Sequence, residues 1–386
     1  MKNTATHMNG LVMADFLREY WQKRPCVIKQ FIPAFEDPID ENDLAGLAQE
    51  DDVDSRLVSY ACGQWHVTQG PIEDFEPLCI GAWTLLVQGV DRFISEVDDL
   101  SDIVKQIGNW RMDDIMVSYS TAGAGVGAHI DQYDVFIVQG KGSRRWQVGL
   151  PSEYETLMPH PLLKQIGEFT PIIDEVLQTG DAIYIPPKHP HNGVALSDCL
   201  NYSIGFRAPT NLELLNGLVD EGEDLEAVQQ HYTDEAINEY RAQTLHSAII
   251  TDTEITRLRE AVVALIHSDQ AQHALMQVLS RQSLPDMRPD QTFELAEVEA
   301  LLQSGLELVK APGVKPIYAQ SQTEDFVFYI DGQAFTVSGN LAANAMAIIN
   351  GSVTLCQSLS DKLQNQEYAA LLIQLLNEGY VDFADV

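Results

Sequence analysis

The sequence predicts a mixed chain: a β-rich first half of sandwich or barrel type, a helical middle, and an end that combines helices with a hairpin. Three observations carry this. From about Ser55 to Pro209, short runs rich in Val, Ile, Tyr and Phe alternate with Gly, Pro and Asp turns, the texture of an all-β sandwich or barrel. After "RAPT" the apolar residues fall at helical spacing. Beyond "LPDMRPD", Asp331-Gly332 marks a hairpin turn between helical stretches. A length of 386 residues fits two or three domains.

In chain order, residues 11–24 place Leu11, Phe16, Tyr20 and Trp21 on one broad helical face. "RPCVIKQF" reads as a strand entered through Pro25, and the acidic stretch after it as a short helix with solvated flanks. The β-rich part contributes "WTLLVQGV", "DIMVSYS", "DVFIVQG", "RRWQVGL", "DAIYIPP" and "LNYSIGFRAP", with a helical interlude over residues 91–108. Asn211 is placed to cap "LELLNGLVDEG", Thr233 and Asp234 open a further helix, and residues 251–282 hold one or two more. "FELAEVEALLQSG" reads as a helix, "DFVFYIDGQAFTV" as the hairpin, "EYAALLIQLLNEG" as a helix stopped by Gly379, and "YVDFADV" as a closing strand. Helices plus a hairpin resemble a winged-helix module. Residues 285–386 carry only Arg288, Lys310, Lys315 and Lys362 against fourteen Asp and Glu. A DNA-reading module needs a basic footprint, so this end reads as a packing or protein-contact module.

The whole chain sets 23 Lys and Arg against 57 Asp and Glu, a formal net charge of −34. That charge repels nucleic-acid phosphates and anionic membranes, and it favours a basic partner or simply solubility. The five cysteines (Cys26, Cys62, Cys79, Cys199, Cys356) are scattered and form no CxxC pair, which argues against a disulfide framework or thiolate zinc site. The N-terminal "MKNTATHMNG" lacks a signal-peptide core, and no run approaches the length of a membrane span. The expectation is a cytoplasmic protein that binds neither nucleic acid nor membrane.

The chemistry starts at "VGAHIDQYDVFIVQGKGSRRWQVG". Residues i and i+2 of a strand point to one face, so His129 and Asp131 converge, as two of the three ligands of a facial triad do. Such a triplet alone arises by chance roughly once in a chain of this size. Context raises its weight. A jelly roll brings distant strands side by side, and "TGDAIYIPPKHPHNGVAL" has the form of a ligand-bearing loop on a barrel strand. His189 and His191 compete for the third place, with His191 beginning the next strand and His189 near the rim. The run "AGAGVGAH" precedes no helix, so it reads as close backbone approach and not as a dinucleotide fingerprint.

These two segments, together with "YWQKRPCVIKQ" and "WTLLVQGVD", resemble the JmjC-type 2-oxoglutarate oxygenases, and most closely their bacterial ribosomal-oxygenase branch. The resemblance spans nearly the whole chain. It implies a double-stranded β-helix (jelly roll, cupin-like), a helical dimerisation region and a winged-helix-like C-terminal domain, here residues 1–210, 211–284 and 285–386. It implies Fe(II) held by His129, Asp131 and His191, because the family's distal ligand lies five residues after the first proline of the turn, Pro186 here. It implies 2-oxoglutarate as cosubstrate with O2. The family's basic residue, fifteen after the first histidine, falls on Arg144, whose fork suits a carboxylate. Arg145 then faces the opposite way. Ser118 and Ser120 alternate in phase and could bond the same carboxylate or line the pocket, and Asn201 is placed to hydrogen-bond near the metal.

The implied activity is 3-hydroxylation of an arginine in a basic large-subunit ribosomal protein, the one numbered sixteen, by a homodimer. Alternatives are histidine hydroxylation, lysine demethylation, a non-enzymatic cupin-like binding protein, and a metal-dependent isomerase that needs no O2.

Overall fold

The computed structural model describes residues 7–222, 231, 248–320, 324–350 and 363–384. Contacts divide the chain into two compact units. One comprises Met1–Ala208 with Leu284–Val314 and Leu375–Val386, and the other Pro209–Ser283 with Lys315–Gln374.

The first unit is built on a nine-stranded sheet facing a four-stranded one. The middle of the larger sheet runs Ala182–Ile185, Asp134–Gln139, Cys199–Phe206, Met112–Ser120, and the smaller one Pro171–Gln178, Ser143–Gly149, Pro190–Ala195, His129–Ile130. The chain passes repeatedly between the two sheets, which makes these eight strands a double-stranded β-helix, the jelly roll expected from the sequence. Asp134–Gln139 and Cys199–Phe206 are buried along their entire length, as strands covered on both faces require. Outside the barrel, Phe16 of the helix Met13–Glu19 packs on Phe136 and Tyr184 with ring centroids 5.0 and 4.8 Å apart. That helix ends earlier than its apolar pattern. Gln22 turns left-handed at φ 55°, and Pro25 disfavours helix in the residue before it. The acidic stretch forms the helix Glu41–Leu47, capped by Asp40, whose carboxylate accepts from the N–H groups of Asn42 and Asp43.

In the second unit the helix Asn211–Gly222 is capped one residue earlier than expected. Thr210, and not Asn211, accepts the Glu213 N–H, and the Glu213 carboxylate accepts from the Thr210 N–H and hydroxyl, a reciprocal box that Asn211 has no partner to make. The helix expected at Thr233–Asp234 lies outside the described residues. Residues 251–282 form two helices, Asp252–Ile266 and Asp269–Ser280, divided where Ser268 accepts the Ala271 N–H and starts a new cap. The hairpin Asp325–Ile330 to Gln333–Ser338 turns through Asp331 and Gly332 at φ 46° and 79°, the left-handed pair of a type I′ turn.

Candidate active site

Antiparallel pairing sets His191 directly opposite His129 across two short strands. Their ring centroids are 4.2 Å apart. The Asp131 carboxylate lies 3.8 Å from His129 Nε2 and 3.5 Å from His191 Nε2. The three potential ligand atoms all fall within 4.8 Å of one another, and since two atoms bound at about 2 Å stand at most about 4 Å apart, a small inward shift lets them share one ion. Each imidazole is also held in one tautomer. His129 Nδ1 sits 2.9 Å from the Gly127 carbonyl and His191 Nδ1 3.0 Å from the His189 carbonyl. A carbonyl only accepts, so both Nδ1 atoms carry the proton and both Nε2 lone pairs are free for a metal.

Electrostatics agrees with that role. Burial, then the neighbouring His191, pushes His129 down to about 4 and keeps it neutral. Burial pushes Asp131 up, but its neighbours His191, His129 and Tyr133 together hold its carboxyl below the ordinary range.

His189 is not the rim residue expected from the sequence. It is 6% exposed, and its Nδ1 faces the Pro187 carbonyl at 3.1 Å. Lys188 takes φ 68° and its N–H donates to the Asp131 carbonyl at 2.8 Å. The turn therefore folds back on the carboxylate loop, tucking His189 beneath and delivering His191 to the cluster.

Arg144 and Arg145 part as alternation requires. Arg145 is outward and pairs with Asp174 at 2.6 Å, while Arg144 is 4% exposed. Its Nη1 donates to Ser120 Oγ at 3.0 Å and to Asn201 Oδ1 at 3.2 Å, and its Nη2 to the Gly193 carbonyl at 3.1 Å. Its Nε has no partner, and among the described residues no carboxylate pairs with it. A buried guanidinium without an anion is costly, so the pocket suits an anionic ligand, and a carboxylate above all. Burial duly lowers its proton affinity.

Ser120 also shares a 2.9 Å hydrogen bond with Thr84. Ser118 is buried on the same strand face and opposite Asn201. Asn201 itself bonds Arg144 and Gln139.

Sequence reasoning missed Gln139. Its Nε2 donates to the Leu200 and Lys141 carbonyls, and its Oε1 accepts from Asn201 Nδ2 at 2.9 Å. This fixes the Asn201 amide so that Oδ1 faces Arg144. The glycine run does provide close approach: a Cβ on Gly125 would stand 2.3 Å from the Gly193 carbonyl. Asp113 and Asp114, also missed, begin the Met112–Ser120 strand. Burial, then Asp91 and Asp113, raises Asp114 to about 6. Asp131, Asp114 and Asp113 act electrostatically on Tyr133 in one direction and the cation Arg56 in the other. Nothing but the adjacent acids in "MDD" signalled Asp113 and Asp114.

A family model described as JmjC domain matches residues 99–214, and one described as ROXA-like winged helix matches residues 254–382. The ribosomal protein uL16 3-hydroxylase of Escherichia coli is 37% identical over 371 residues, 95% of this chain and 96% of that protein. The probable ribosomal oxygenase of Haemophilus influenzae is 40% identical over 210 residues, 53% of this chain and 51% of that one. The structure of YcfD, a ribosomal oxygenase from Escherichia coli, in complex with cobalt and 2-oxoglutarate aligns with a TM-score of 0.85 at 35% identity, covering 97% of this chain and 99% of that one. With a likeness that runs the length of both proteins, the chain belongs to the JmjC ribosomal-oxygenase family that includes the Escherichia coli uL16 3-hydroxylase.

Proposed function

We propose that this chain is an Fe(II)- and 2-oxoglutarate-dependent dioxygenase that 3-hydroxylates an arginine of ribosomal protein uL16. The observation that carries the reading is a buried guanidinium, with no counter-ion among the described residues, beside a two-histidine, one-carboxylate cluster. Bound Fe(II) supplies the chemistry that couples oxidative decarboxylation of 2-oxoglutarate to hydroxylation, with 2-oxoglutarate, O2 and a C–H bond giving succinate, CO2 and C–OH. The protein's part is binding and orientation. His129, Asp131 and His191 would hold the metal, a two-histidine, one-carboxylate set that suits Fe(II). Arg144, steadied by Ser120, Asn201 and the Gly193 carbonyl, takes the far carboxylate of 2-oxoglutarate, with Ser118 on the same wall.

Asp114, which acts electrostatically on Tyr133, supports a cationic target side chain, and the net charge of −34 supports a basic protein around it. Free uL16 or its nascent chain fits this surface better than the assembled ribosome, whose phosphates it would repel. We further assign residues 1–210 to catalysis, 211–284 to homodimerisation and 285–386 to an acidic winged-helix-like module, in a protein that works in the cytoplasm. Support for the dimer comes from Ile255, Leu258, Val262, Val263 and Ile266, all exposed on one helix. Among the described residues no helix is long and apolar enough to cross a membrane.

The test is incubation of isolated uL16 with the protein, Fe(II), 2-oxoglutarate and O2, followed by mass mapping. A gain of about 16 Da on one arginine is expected, with succinate released. The same gain on histidine, loss of methyl groups, or no succinate would each replace the proposal with one of its rivals.

A further inference from the structure

Trp146 lies two residues after Arg144 on the same strand, and so on the same inward face. It is 6% exposed, and its Nε1 is a buried donor without a hydrogen-bond partner. A buried indole N–H normally finds an acceptor, and leaving it bare is costly. The ring touches both ends of the site. The Arg144 Cζ stands 5.2 Å over it, and its centroid is 6.2 Å from that of His191. Trp146 thus stands between the residue proposed to hold the cosubstrate's far carboxylate and a proposed metal ligand.

The backbone opposite is shaped around this ring. Gly193 pairs directly with Trp146 across the sheet. A Cβ there would come within 2.7 Å of Trp146 Cη2 and 2.8 Å of both Trp146 Cζ3 and Arg144 Nε. The six-membered ring therefore faces Gly193, which leaves the N–H edge on the side away from that strand. Trp146 also belongs to a buried cluster with Val135, Ile137, Ile183 and Ile185, none of which offers a side-chain acceptor.

We propose that Trp146 is a second positioning residue for the cosubstrate. Its indole N–H donates to a carboxylate oxygen of bound 2-oxoglutarate, while its ring holds the Arg144 guanidinium at a fixed distance from His191. This rests on the reading of the site as a 2-oxoglutarate pocket. The cosubstrate then satisfies two groups that the protein alone leaves unmet, the charge of Arg144 and the N–H of Trp146.

The experiment follows the indole N–H resonances of the full chain loaded with redox-inert Zn(II), with and without 2-oxoglutarate. The chain has five tryptophans, and Trp146 is identified by the peak missing from Trp146→Phe, which keeps a ring and removes the donor. Should that variant fail to fold, the peak is found by elimination from Phe variants at Trp21, Trp65, Trp83 and Trp110. The expected result is a downfield shift of the Trp146 peak on adding 2-oxoglutarate. Calorimetry should show 2-oxoglutarate binding to Trp146→Phe weakened at least tenfold, the loss of one hydrogen bond to a charged group. An unmoved Trp146 peak, or equal affinity in a folded Trp146→Phe, overturns the inference while leaving the pocket intact. Absence of 2-oxoglutarate binding by the unaltered protein would instead overturn the reading of the site itself.

Discussion

The backbone N–H of Lys188 donates to the carbonyl oxygen of Asp131 at 2.8 Å, so the turn that carries one histidine is tied to the loop that carries the carboxylate. Sequence spacing left His189 and His191 as rivals for one place. This bond helps set His191, and not His189, toward the cluster.

His191→Ala should therefore lower Co(II) or Fe(II) affinity by more than roughly 100-fold, since loss even of a ligand's outer partner costs 10–100-fold. His189→Ala should leave affinity within a few-fold, because that side chain bonds Pro187 and lies outside the cluster. Calorimetric metal titration of both variants checks this. Equal losses would return His189 to the site.

Arg144→Met removes a buried cation that has no anionic partner in the ligand-free chain. Its melting temperature without ligand should match or exceed that of the unaltered protein, because an uncompensated buried charge destabilises. Its 2-oxoglutarate-induced rise in melting temperature should vanish. Arg144→Lys keeps the charge but loses the planar fork, and should bind 2-oxoglutarate about tenfold more weakly.

Asp114 holds its proton up to about 6 against an ordinary 3.8, chiefly because it is half-buried and next because Asp91 and Asp113 stand beside it. Its contribution to stability is fully present below pH 3.8 and is lost as the pH rises through about 6. At about 1.4 kcal/mol per unit the loss is at most about 3 kcal/mol. Urea denaturation of Asp114→Asn should accordingly lack part of the decline in stability seen between pH 4 and about 6 in the unaltered protein. The same titration has the opposite sign for recognition. A carboxylate attracts a cationic side chain only when ionised, so KM for a uL16 peptide should fall as the pH climbs past about 6, and Asp114→Asn should flatten that trend.

Val262→Glu places a charge amid the exposed apolar side chains of the Asp252–Ile266 helix. Light scattering should find a dimer for the unaltered chain and a monomer for the variant. A monomer in both would remove the role given to this region.

Much of the fold was legible because its signals are local. The Asp331-Gly332 turn, the fully apolar runs of Asp134–Gln139 and Cys199–Phe206, and the opposite fates of Arg144 and Arg145 each follow from spacing or backbone preference within a few residues. What escaped depends on pairing across the barrel. Gln139 orients Asn201 only because register sets the two opposite each other. Asp114 matters through burial that no neighbouring residue announces. The strand expected through His129 and Asp131 is only two residues long, His129–Ile130, so Asp131 reaches the cluster from the loop beyond it. The hairpin Thr156–His160 to Leu163–Ile166 was missed because most of its residues are exposed, leaving little alternation to read. The cap at Thr210 was missed because two neighbours could serve, and only the position of Glu213 chooses between them.

The lone charge of Arg144 bears on how long the protein lasts as well as on how fast it works. A ligand that neutralises it binds the folded chain alone, and at 100 times its Kd such a ligand adds about 2.7 kcal/mol of stability. Starved of 2-oxoglutarate, the enzyme should open more often and be digested sooner. Abundance of its own fuel should lengthen its survival, a dependence that timed proteolysis over a range of 2-oxoglutarate concentrations would display and Arg144→Met would abolish.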